Sequence, residues 1–174
     1  ALVTAGIEDA DIIVAGPKNI SGTAALVGVF KAYQEMTGKE LPQENVDTAL
    51  NELVLTGQLE SSTGADAESV EGLVAYLKQQ IAENGLTDDD SIRKAIEAAD
   101  KFDVTLTEDQ KAQLLELLKK IGDLDLDVDS LVNQAKSIYD KIENLGADGI
   151  FDKIGSFFSN LFSSIADFFK NLFS

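Results

Sequence analysis

The chain has 174 residues with 14 basic and 31 acidic side chains, a formal net charge of −17. So acidic a protein repels nucleic acid, whose binding depends on neutralising phosphates with Lys and Arg, and no nucleic-acid partner is expected. Cysteine and histidine are absent, which removes disulfides, thiolate nucleophiles, Cys/His metal sites and the commonest general base. There is also no uncharged apolar run of about 18 residues, the length that crosses a bilayer.

Residue 1 is Ala rather than Met, consistent with removal of an upstream segment. The first residues carry the only strand pattern. Ile12, Ile13 and Val14 form a β-branched run closed by Gly16-Pro17, and Leu2-Val3-Thr4 fits the end of a second strand. Two short strands are a weak sheet alone. From Ser21, a candidate N-cap, the apolar period changes to 3.6. Leu26, Val27, Phe30, Tyr33 and Met36 form the buried stripe of a helix that stops near Gly38. A second helix begins at Pro42 and carries Val46, Leu50, Leu53 and Val54 as far as Thr56-Gly57. The third carries Val70, Leu73, Val74, Leu77 and Ile81 and ends at Asn84-Gly85. Thr87 opens a fourth, with Asp88, Asp89 and Asp90 at its positive end and Ile92 and Ile96 inward.

Thr107 followed by Gln110 has the spacing of a capping box, and Leu114, Leu115, Leu118 and Ile121 follow it. A sixth helix runs from Asp129 to Leu145 through Leu131, Val132, Ala135, Ile138, Tyr139 and Ile142. The expected fold is therefore mainly α: an antiparallel assembly of about six helices with a small N-terminal β element. It becomes α+β if upstream strands are restored. Residues 1–146 form the acidic body and 147–174 a separate C-terminal helix, hinged at Gly146 and Gly149.

That last stretch is the most informative. Seven of the nine phenylalanines lie between Phe151 and Phe173, and Asp152 and Asp167 balance Lys153 and Lys170. Phe151, Ile154, Phe157, Phe158, Leu161, Phe162, Ile165, Phe168, Phe169, Leu172 and Phe173 recur at spacings of three and four. On a helix they make one broad apolar face, with Ser156, Asn160, Ser163, Asp167 and Lys170 opposite. A face that size does not stay bare in water. Three destinations are open: the protein's own body, self-association or a partner groove, and a membrane interface.

Catalytic signals are weak throughout. Asp123, Asp125 and Asp127 match the first three ligand positions of an EF-hand loop, but Val128 stands where its glycine belongs and Gln134 where its bidentate Glu belongs. The run reads as a turn with Asp127 or Asp129 capping the next helix. Asp88–Asp90 reads as a helix start. Ser21 lacks the leading glycine of a nucleophile elbow, and no Gly-rich phosphate loop is present. No catalytic residue, cofactor or metal is expected.

Leu2-Val3-Thr4-Ala5-Gly6-Ile7-Glu8-Asp9-Ala10-Asp11, continuing through Ser21-Gly22-Thr23-Ala24-Ala25-Leu26, resembles the YpuA-like exported proteins of Gram-positive bacteria, the domain of unknown function 1002. Glu52-Leu53-Val54, Val104-Thr105-Leu106-Thr107 with Gln110, and the aromatic end extend the resemblance over nearly the whole chain. The resemblance implies a precursor with a signal peptide and a further N-terminal region, whose strands would pair with the opening segment. It also implies a secreted or extracytoplasmic location at the cell envelope. It brings no active site.

The resulting expectation is a non-catalytic exported protein of unknown specific role, touching a membrane surface or a protein partner through its C-terminal helix. The alternatives are an envelope hydrolase using acidic residues alone, which requires two carboxylates about 5–10 Å apart across a cleft, and a structural homo-oligomer.

Overall fold

The computed structural model describes residues 1–8, 10–16 and 18–144, apart from the side chains of residues 98 and 141–144. The expected hinge at Gly146 and Gly149, the C-terminal helix over 147–174 and the side chain of Ile142 lie outside the described residues. The order is α1 (Gly22–Thr37), α2 (Gln43–Thr63), α3 (Ala67–Asn84), α4 (Asp89–Ile96), a 3₁₀ turn (Glu97–Phe102), α5 (Glu108–Asp123) and α6 (Val128–Asn144).

Local chemistry sets most of these boundaries. Ser21 accepts from Ala24 N–H to start α1, Asp66 from Ser69 N–H to start α3, and Asp88 from Ser91 N–H to start α4. At α5 Thr107 and Gln110 close a reciprocal capping box. Asp127 Oδ1 accepts from Ser130 N–H at 2.7 Å, the helix-capping role expected for this acidic run. The strand expectation meets a different outcome. Residues 2–6 form a tight turn, with Gly6 N–H bonded to the Val3 carbonyl at 2.9 Å. Residues 10–16 lie without regular structure, and no strand occurs among the described residues. A strand needs an extended neighbour to take its backbone hydrogen bonds, and no strand lies beside this segment among the described residues.

Two further boundaries move. α2 does not stop at Gly57 but continues to Thr63, and Gly64 (φ 73°) supplies the left-handed cap. A mid-helix glycine costs only about 1 kcal/mol, less than the burial of Leu55 and Leu59 on either side of it. The fourth helix starts one residue later than expected, with Asp88 as its cap.

α3 is the axis of the molecule. From Ser69 to Ile81 every residue except Glu71 is buried, because α2, α4, α5 and α6 all pack on it. Leu73, Leu77, Ile92, Ile96, Phe102, Leu114, Leu118 and Ile121 form the main core, together with Leu131, Ala135 and Tyr139 of α6. Tyr76 meets Phe102 with ring centroids 5.5 Å apart. A second, smaller cluster joins the N-terminal turn to α1 and α2 through Ala5, Ile7, Leu26, Phe30 and Ala49. α1 buries only Leu26 and Phe30, so Val27 and Met36, read as part of its buried stripe, are exposed, Met36 at 86%.

This division makes stability uneven. Leu73→Ala empties a fully enclosed site and should cost about 2–5 kcal/mol, whereas Val54→Ala, on an exposed position, should stay within about 0.5 kcal/mol of the parent. Urea unfolding of the two variants measures the difference.

Candidate functional site: a buried ion pair and an apolar groove

Two features stand out, and neither is where the sequence pattern directed attention. The first is a buried charge cluster. Lys78 lies on α3 and is 2% exposed. Its Nζ donates to Glu52 Oε1 of α2 at 2.9 Å and to Gln134 Oε1 of α6 at 2.8 Å. Glu52 is 5% exposed, and its other oxygen accepts from the Thr4 hydroxyl. One ion pair thus ties together α2, α3, α6 and the N-terminal turn.

Burial alone would raise the Glu52 carboxyl pKa. The Lys78 ammonium, the first of the opposing influences, acts with the hydrogen bond from Thr4 to hold the group below the usual carboxylate range. Next to it on α3, Gln79 Oε1 accepts from the Tyr139 hydroxyl at 3.3 Å and its Nε2 donates to Glu83 at 3.1 Å. Burial pushes both Tyr76, to about 12, and Tyr139 upward, so both phenols stay neutral and uncharged in the core.

A pocket of about 260 Å³ opens beside this pair, bordered by Glu52, Glu71, Lys78, Gln134, Leu53 and Ile138. Two carboxylates therefore border one pocket. A glycosidase-type pair needs one ionised carboxylate and one carboxyl with a raised pKa as general acid; Glu52 is held in the ionised form, with its oxygens engaged by Lys78 and Thr4.

The second feature is a groove of about 740 Å³ between residues 10–20 and α1. Its floor is Ala24, Gly28 and Ala32, one row of small residues at a spacing of four, flanked by Val29, Tyr33 and Met36. Ile12, Ile13 and Val14 make the opposite wall. Five of the seven large apolar side chains exposed among the described residues fall between Ile13 and Met36, Ile13 at 93%.

All the residues singled out in advance as contacts, Phe151, Ile154, Phe157, Phe158, Leu161, Phe162, Ile165, Phe168, Phe169, Leu172 and Phe173, lie outside the described residues. Glu52, Lys78 and the groove were missed, although a signal for each was present. Lys78 stands four residues after Val74 and three before Ile81, on the buried arc of α3, where a charge must find a partner. The groove floor was visible as small residues at 24, 28 and 32.

The model of a family described as "Protein of unknown function (DUF1002)" matches residues 1–138. The "Uncharacterized protein YpuA" of Bacillus subtilis (strain 168) is 34% identical over 167 residues, which cover 92% of this chain and 57% of that protein. The chain thus spans little more than half the length of this curated relative. No solved structure matches it.

Removing one member of a buried pair is costly; replacing both with apolar side chains is far less so. Lys78→Met should lose about 3–5 kcal/mol, and adding Glu52→Leu should recover most of it in a double-mutant cycle read by urea unfolding. The pH dependence has a defined sign. Because the folded pKa of Glu52 lies below its ordinary value of 4.5, the pair's stabilisation is complete above that pH and fades as pH falls below it. The double variant should therefore lose less thermal stability than the parent between about pH 6 and pH 3.

Proposed function

The chain belongs to the family of proteins of unknown function DUF1002, and from that premise we propose that it is a non-catalytic exported protein of the cell envelope that acts by binding. The contact is made by residues 151–173, at a membrane surface or a protein partner. One observation carries the reading: a charge-balanced segment with apolar residues at helical spacing follows a body that holds the rest of the chain's acidic excess. Such a segment partitions by its apolar face rather than by charge. Export is supported by the family resemblance.

The body favours binding over chemistry. The groups of its buried charge cluster are engaged with one another: Lys78 with Glu52 and Gln134, and Gln79 with Tyr139 and Glu83. A catalytic group needs a free lone pair or proton directed at substrate, and these are committed to holding helices together.

Liposome flotation with phosphatidylcholine vesicles tests the membrane form. The full chain is expected to float and a version ending at Gly149 to remain in the dense fraction. Vesicles carrying anionic lipid should bind less, because the acidic body is repelled. If full chain and truncation stay equally at the bottom, the membrane form is lost.

A further inference from the structure

We propose that the groove between residues 10–20 and α1 seats the phenylalanine-rich segment 150–173 of the same chain, so that the contact segment is stored on the body when no membrane or partner is present. The proposal rests on reading that segment as an amphipathic helix, and asks where its apolar face goes.

Shape is the first argument. Packing helix on helix sets the side-chain rows of one into the furrows of the other, and the commonest class uses rows at a spacing of four on both helices. The groove floor, Ala24, Gly28 and Ala32, is such a row with almost no side chain. Phe157, Leu161, Ile165 and Phe169 are a row at the same spacing with large side chains. Small residues let the partner approach closely, and the bulky row fills the space they leave. At Gly28 that space is real, because a Cβ placed there would meet nothing within 4 Å.

Charge is the second. Asp152, Lys153, Asp167 and Lys170 sum to zero, so the segment approaches a chain of net charge −17 without repulsion. An acidic partner or an anionic lipid surface would not. Position is the third. Leu53 of α2 lies 3.7 Å from where a Cβ would stand at Gly22, the first residue of α1, and borders the same pocket as Ile138 of α6. Only residues 145–149 separate Asn144, where α6 ends, from the segment, so the segment is tethered to the body by a short linker and meets it at high effective concentration.

The test uses the full chain and limited chymotrypsin digestion, which cuts after the phenylalanines of the segment. Gly28→Leu fills the groove floor and favours the helix it sits in, so it removes the seat without weakening the body. Gly57→Leu is the matched control: Gly57 is also an exposed helical glycine with open space around it. In the parent and in G57L the segment should be protected; in G28L cleavage within 151–173 should be about tenfold faster, since proteolysis follows the population of the open form. The protection should not change on dilution.

Equal cleavage in all three chains would overturn the proposal, and so would protection that fades on dilution, which would place the segment on a second copy. Flotation gives an independent readout. Loss of protection in G28L with stronger flotation supports storage and release, whereas flotation of the parent with no protection at all sinks this proposal and leaves the binding function standing.

Discussion

The Glu52–Lys78 pair is the point on which the architecture turns. α2 carries one apolar edge, Ala49 and Leu53, toward α1 and the N-terminal turn, and another, Leu55 and Leu59, toward the main core. Glu52 lies between them. One of its oxygens reaches Thr4 in the small cluster, and the other reaches Lys78 on the axis of the large one. The pair thus links the two clusters in addition to α2 itself. Through Gln134 the same ammonium also holds α6 in place. Buried ion pairs add little net stability, because desolvation offsets most of the attraction. What this one adds is a defined arrangement: a charge buried at this depth tolerates very few alternatives to its observed partners.

A helix enclosed as fully as α3 normally reads as continuous apolar sequence. Here it contains Lys78, Gln79 and Gln80 in succession, all buried. The molecule accommodates them by partnering each with another helix or with its own next turn: Lys78 with α2 and α6, Gln79 with Tyr139 and Glu83, Gln80 with Asn84. These directional contacts set the angular position of α6, which apolar packing alone would leave free to slide. Polar contacts of this kind rigidify a core and fix one arrangement of its helices.

Elements governed by neighbouring residues were legible from sequence. The Ser21 start of α1, the Thr107–Gln110 box, the Gly38 stop and the Gly85 stop depend on contacts within four residues, and those are written in order along the chain. Contacts between distant residues were not. Lys78 meets Glu52 across 26 positions and Gln134 across 56, and no local pattern specifies either. The end of α2 was misplaced for the same reason. Gly57 and Gly64 look alike in sequence, and only packing of Leu55 and Leu59 against α3 and α5 decides which one ends the helix. Met36 and Val27 fit the apolar period of α1 but stay exposed, because periodicity identifies a face without saying what covers it.

That uncovered face is where the physics of the chain concentrates. The body spreads its negative charge widely, which keeps it soluble and discourages indiscriminate acidic partners. Its exposed apolar residues are not spread likewise but collect between Ile13 and Met36, beside a floor kept open by glycine and alanine. The other large apolar set in the sequence is the charge-balanced segment from Ile150 to Phe173. Water penalises each of them separately in proportion to area, and the penalty on both falls at once when they meet. On the proposed storage, a membrane or partner that takes the segment competes with the groove for the same apolar face. Its binding is correspondingly weaker than the face alone would predict, and selective for surfaces apolar enough to win.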